Sequence, residues 1–248
     1  MIQEYQVSGF RVREYEELRS TNTEAERVGW DELEDKMVIL TYKQTQGRGQ
    51  VGNHWESEPG KNISMTVVFK PRELPAGQQF AVSMVIALGA CDFISRYVAG
   101  CTVKWPNDIY VGDRKISGIL IEHSIMGRYV GGSLCGIGVN INQEQFLSDA
   151  PNPVSLFQLL GRELPLQEVL EELLECIGKR YEQIHRYAEL ENDFLRHMYR
   201  STGIYDFEDE RFSKVNMRIR RLALKTNILQ GLPTPLTQIL TMVAVAFV

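Results

Sequence analysis

The sequence is poor in residues that build metal and redox sites. Its four cysteines, Cys91, Cys101, Cys135 and Cys176, are scattered and form no CxxC pair, so neither a zinc knuckle nor a dithiol redox centre is expected. Its four histidines, His54, His123, His185 and His197, form no HxxxH or HExxH, and no ligand set for a metal can be read from the chain. Long hydrophobic runs are missing too. The longest, Met242 to Val248, is far too short to cross a bilayer. Met1 to Phe10 has no apolar segment and carries Glu4, which argues against a secretory signal. Positive charge is not in surplus: 27 Lys+Arg face 32 Asp+Glu, a formal charge of -5, so no global attraction to nucleic acid is expected. Repeats and low-complexity linkers are absent. What remains is a cytoplasmic protein with free thiols and no membrane or DNA partner, long enough for one main core and a small appendage.

Hydrophobic patterning supplies the elements. Thr21-x-x-Glu24 fits a capping box opening a short helix. Met37 to Tyr42 is an apolar run of strand length. In Asn62 to Phe69, Ile63, Met65, Val67 and Phe69 alternate with Ser64 and Thr66, the pattern of a half-buried strand. Phe80 to Val98 reads as a buried helix. Thr102 to Trp105 is a short strand stopped by Pro106. Ile116 to Glu122 and Tyr129 to Asn140 form a hairpin turning at Met126-Gly127-Arg128. Pro165 opens a helix with Leu166, Val169, Leu170, Leu173, Leu174 and Ile177 on one face, and helical composition continues to about Arg200. Residues 201–248 return to a strand pattern and carry a net +2, against -7 for residues 1–200. The expected layout is an α+β domain with a mixed or antiparallel central sheet over 1–200, and a small C-terminal β module over 201–248.

Three stretches could carry chemistry. The first is GRGQVGNHW (47–55), whose glycines let backbone N–H groups approach an anion and whose Arg48 can fork onto a carboxylate or phosphate. It lacks the GK[ST] ending of a Walker A loop, and glycine content alone favours a flexible surface hairpin with one solvated Arg. The second is KWPND (104–108), followed by Lys115 at the start of an apolar strand; Asn107 and Asp108 also suit an ordinary turn. The third is GIGVNIN (136–142), where glycines inside a strand mark a close approach to a ligand or to another element.

Taken together with Ser20-Thr21-Asn22, Gln44 and KISGILIE (115–122), these motifs resemble the biotin protein ligase family, in order and spacing over roughly residues 12–142. The resemblance implies a ligase with a class II synthetase-like catalytic domain and an SH3-like C-terminal module entered at Thr202-Gly203-Ile204-Tyr205. It implies ATP and biotin as substrates with Mg2+, biotinyl-5′-adenylate as intermediate, and a lysine of a biotin carboxyl carrier domain as acceptor. By position, Arg48 and Lys115 match the residues that hold the biotin carboxylate and α-phosphate and carry the chemistry. Ser20, Thr21, Asn22 and Gln44, with Gly49 and Gln50 of the loop, match the biotin contacts. Trp55, Lys104, Asn107 and Asn140 match the ATP and adenylate contacts.

The match has departures. Gln50, Val51 and Asn53 stand where the family loop often has basic residues, leaving Arg48 as the loop's only cation. The motifs begin at Ser20, so the form without an N-terminal helix-turn-helix is expected. Residues from about Ser213 depart from the family's module. A lipoate or octanoate ligase of the same fold, and a non-catalytic biotin-binding relative, stay open as alternatives. So does homodimer formation through an exposed sheet edge.

Overall fold

The computed structural model describes residues 2–49, 54–148 and 152–200. In chain order these form β1 (Ile2–Val7), β2 (Phe10–Tyr15), α1 (Thr21–Val28), β3 (Met37–Thr41), β4 (Gly47–Arg48), β5 (His54–Trp55), β6 (Ile63–Phe69), α2 (Phe80–Ile94), β7 (Cys101–Lys104), β8 (Asp108–Val111), β9 (Arg114–Met126), β10 (Tyr129–Val139), α3 (Leu156–Leu160), α4 (Leu166–Tyr181) and α5 (Tyr187–Arg196). Met1–Tyr199 make one unit. The C-terminal β module expected over 201–248 lies outside the described residues.

Eight strands form one mixed sheet in the order β1-β2-β3-β6-β10-β9-β8-β7. Only β2 and β3 pair in parallel; the other pairs are antiparallel. The β9–β10 hairpin turns between Met126 and Tyr129, as the sequence pattern predicts. One long apolar helix, α2, lies against the sheet's far end and α4. The stretch Ala76–Ile94 is long and apolar enough to cross a membrane by length and composition, but 67% of that window is buried inside the protein. Its crossing with α4 is tight: a Cβ on Gly89 would stand 2.8 Å from Cα of Ile177. Phe69 of β6 stacks on Tyr181 of α4 with ring centroids 3.9 Å apart, which ties the helical layer to the centre of the sheet.

Three expectations change. The strand Ile63–Phe69 is buried on both faces, not one. One face meets the helical layer, and the other is covered by α1 and by the β4–β5 hairpin. The capping box at Thr21 does not form. The N-cap is Ser20, without a side-chain cap bond, and Glu24 is engaged by Arg27 at 2.7 and 2.9 Å. Ser20, Thr21 and Asn22 are instead buried against the sheet. A capping box does form at Ser155 and Gln158, opening α3. Helical structure also ends earlier than expected: α5 stops at Arg196, and the following residues join the sheet edge, where Val103 N–H donates to His197 O at 2.7 Å.

Register decides which residues share the α1 face. Across β3, β6, β10 and β9, one row holds Ile39, Thr66, Gly136 and Leu120; the next holds Thr41, Ser64, Gly138 and Gly118. The row before them, Met37, Val68 and Leu134, packs with Tyr15, Ala25 and Leu33 into an apolar cluster under α1. The face is therefore apolar at one end and polar, with glycines, at the other.

Candidate functional site

The polar end of this face gathers most of the residues singled out in the sequence. Asn22, at the start of α1, is 3% exposed. Its Nδ2 donates to Oε2 of Glu122 at 2.8 Å and to the Leu120 carbonyl at 3.4 Å. Its Oδ1 lies 2.6 Å from Oγ1 of Thr66, which is also 2.9 Å from Oγ1 of Thr21. An amide held on both sides has one orientation. Thr21 N–H donates to Oε1 of Gln44 at 2.9 Å, joining α1 to the chain that leads into the glycine-rich loop. Gly136 is required here: a Cβ at that position would stand 2.3 Å from Oδ1 of Asn22.

One row along, the floor is made by Gly118 and Gly138, and the half-buried indole of Trp55 lies on it. A Cβ on Gly138 would stand 2.2 Å from Cε2 of Trp55, and one on Gly118 2.9 Å from Cζ3. Lys115 reaches the same place, with Nζ 5.7 Å from the Trp55 ring centroid and 2.7 Å from Oδ1 of Asp108. Arg48 is forked between two carboxylates: NH1 to Oε1 of Glu26 at 2.7 Å and NH2 to Oε1 of Glu122 at 2.8 Å. Both cations are thus matched by acids that an incoming anion would have to replace. Gly49 follows Arg48 directly; Gln50 lies outside the described residues.

The proposed nucleotide residues are arranged differently. Asn107 closes the KWPND turn against β9, its Nδ2 on the Ile119 carbonyl and its own carbonyl accepting from Ile119 N–H at 2.9 Å. Lys104 donates to the hydroxyl of Tyr110 at 3.2 Å and sits 4.9 Å from that ring's centroid. Asn140 is 2% exposed and donates to the Val154 carbonyl at 3.1 Å, with Oδ1 left unpartnered. Among the described residues no group of three or more His, Cys, Asp or Glu side chains could hold a metal ion.

Sequence reasoning missed Glu26, Glu122, Ser64, Thr66 and Glu56. Glu122 was quoted only as the end of a strand motif. The half-buried pattern puts Ser64 and Thr66 opposite the apolar residues; their signal is two small hydroxyl residues alternating within a strand flanked by two strongly apolar stretches. Glu56, next to Trp55, has its Oε1 on the Leu147 N–H and its Oε2 on the Ser148 N–H, both at 2.8 Å, and Oε1 also takes Nε2 of Gln143 at 3.1 Å. Burial opposes its ionisation, but these hydrogen bonds outweigh it, and its carboxyl is held below the usual range.

The family model of biotin/lipoate A/B protein ligases matches residues 15–140, the span from before Ser20 to Asn140 that contains every candidate site residue expected from the sequence. The chain belongs to this family. Among its members, the biotin--[acetyl-CoA-carboxylase] ligase of Paracoccus denitrificans is 30% identical over 175 residues, covering 68% of this chain and 72% of that protein. The bifunctional ligase/repressor BirA of Bacillus subtilis is 28% identical over 182 residues, 71% of this chain but only 55% of its own length. The chain thus spans about half the length of the first relatives it matches. The fold is shared with the biotin protein ligase of Aquifex aeolicus in complex with biotin and ATP, at a TM-score of 0.64 and 23% identity over 75% of this chain and 78% of that one. It is shared as well with the Leishmania major biotin protein ligase in complex with biotinyl-5-AMP, at 0.60 and 20% over 80% and 85%.

Proposed function

We propose that this protein attaches biotin to a lysine of a biotin carboxyl carrier domain at the expense of ATP. The biotin carboxylate attacks the α-phosphorus, forming the acyl–phosphate bond of biotinyl-5′-adenylate and releasing pyrophosphate. The carrier lysine amine then attacks the acyl carbon and AMP leaves. Two anions have to meet in the first step, and Arg48 and Lys115 are the cations at hand. Ser20, Thr21, Asn22 and Gln44 would hold the biotin head, Gly49 and Gln50 the loop side of it, and Trp55, Lys104, Asn107 and Asn140 the nucleotide side. Magnesium would arrive with the triphosphate, since the described residues offer no resident cluster of acids and histidines for it. The SH3-like module over 201–248 and a cytoplasmic location belong to the same reading, and pairing of two copies through the exposed edge strand β1 is compatible with it.

The observation that carries the proposal is the polarity of one sheet face. Thr21, Asn22 and Thr66 crowd the Gly136 row, while Lys115 and Trp55 occupy the Gly138 row, two residues and about 7 Å further along the strand. A small acid with a polar head and a carboxylate tail suits that arrangement. A lipoyl or octanoyl head has no polar groups to engage this end of the face, so seating it there gains no hydrogen bond. The test is mass spectrometry of a carrier domain after incubation with the protein, ATP, and either biotin or lipoate. A mass increase of one biotinyl group with biotin alone is expected. An increase with lipoate alone, or none with either, would overturn the reading.

A further inference from the structure

Among the described residues four buried side-chain polar atoms have no hydrogen-bond partner: Nε1 of Trp55, Oγ of Ser64, Oγ1 of Thr102 and Oδ1 of Asn140. Thr102 is on the edge strand β7. Two of the other three, Ser64 and Trp55, lie beside Gly138. Ser64 is its registered neighbour on β6, and opposed residues of an antiparallel pair point to the same face with Cβ positions about 4.5–5.5 Å apart. Trp55 lies on it, with Nε1 2.4 Å from where a Cβ would stand. Asn140 lies two residues further on, past the end of β10.

Ser64 is 2% exposed, so bulk solvent does not offset the missing partner, and its hydroxyl finds neither a backbone carbonyl nor the neighbouring indole N–H. Two neutral donors, Oγ–H and Nε1–H, are therefore left without an acceptor beside Gly138. Buried polar groups are almost always paired, and orphans that cluster mark a position an absent group fills. The position can be assigned along the face. Cε of Lys115 stands 3.4 Å from where a Cβ on Gly118 would be, and Gly118 is the partner of Gly138 on β9. The Ser64 row is thus the lysine row, distinct from the Thr66 row that holds Asn22.

We propose that Ser64 is a ligand-contacting residue, and that its hydroxyl, together with the indole N–H of Trp55, donates to a carboxyl oxygen of the bound acid. This rests on the biotin-ligase reading above and adds a residue to it. The charge of the carboxylate is met by Lys115; the neutral pair fixes which oxygen points to the floor. Such a contact discriminates against ligands that carry no anionic oxygen at this end.

Ser64→Ala separates this role from a structural one. Because the hydroxyl has no partner in the free protein, its removal should leave the ligand-free thermal midpoint unchanged or raise it. Titration calorimetry with biotin should show Kd raised about tenfold, the size of one hydrogen bond to a charged group. With biotinol, whose carboxylate is replaced by an alcohol, the change should be less than about twofold, and Trp55→Phe should repeat the pattern. A lowered ligand-free midpoint, equal weakening for both probes, or unchanged biotin affinity in Ser64→Ala would each overturn the assignment alone. A wild-type protein that binds no biotin would overturn the ligase reading together with it.

Discussion

A methyl group at position 138 would stand 2.2 Å from Cε2 and 2.4 Å from Nε1 of Trp55, distances that no packed carbon tolerates. Strand β10 is hydrogen-bonded on both sides, to β6 and to β9, so the backbone has less freedom to yield than the indole does. Gly138→Ala should therefore expel the ring into water while the fold is kept. Tryptophan emission should shift to the red, and the shift should vanish in a Trp55→Phe background, because Trp30 and Trp105 are untouched. An unshifted emission would mean that the ring is not seated on the glycine floor. The same scale explains Glu122: one carboxylate accepts from both Asn22 and Arg48, so it couples the start of α1 to the loop cation.

Between elements, Glu56 connects the end of the β4–β5 hairpin to the chain beyond β10. Its two oxygens take the amides of Leu147 and Ser148, while Asn62 and the Glu58 N–H converge on Oε1 of Gln143. A carboxamide at position 56 keeps one acceptor and loses the other. Glu56→Gln should speed amide hydrogen exchange at Ser148 or Leu147 at neutral pH; unchanged protection at both would show the carboxylate to be incidental. The pH dependence has a definite sign. The carboxyl is held below its reference value of 4.5, so its contribution is fully present above that pH and is lost as pH falls further, through the folded-state pKa. Wild-type protection of this segment should weaken in that acid window, and the Gln variant should not share the transition.

At the scale of the whole molecule, the helical layer is locked by one arginine. Arg180 of α4 pairs with Asp92 of α2 at 2.6 Å and with Asp193 of α5 at 2.8 Å, and its side chain is 13% exposed. Removing it strands two carboxylates in a crowded place. Fully buried pairs cost about 3–5 kcal/mol when one partner is deleted; both aspartates are about a third exposed, so about 2–3 kcal/mol is expected for Arg180→Ala. Arg48→Ala, at 40% exposure, should cost less than about 1 kcal/mol. Urea denaturation of both variants checks the contrast, and equal losses would contradict it.

Much of this was legible before folding. Strand and helix positions followed from alternation and apolar faces, and the order of the glycine, KWPND and GIGVNIN motifs pointed to the family and its candidate cations. Two kinds of feature were not legible. The sequence shows Ser64 and Thr66 alternating with apolar neighbours, which suits a solvent face equally well; only the arrival of α1 and the β4–β5 hairpin turns that face into a buried, polar floor. Likewise Arg48 meets Glu26 and Glu122 across 22 and 74 positions of chain, and Asn22 meets Glu122 across 100. Local propensity therefore determined the elements and which residue types were available, while register decided which of them meet. A slip of one residue in a strand would carry Ser64, Gly138 and Gly118 to opposite faces and leave no site at all.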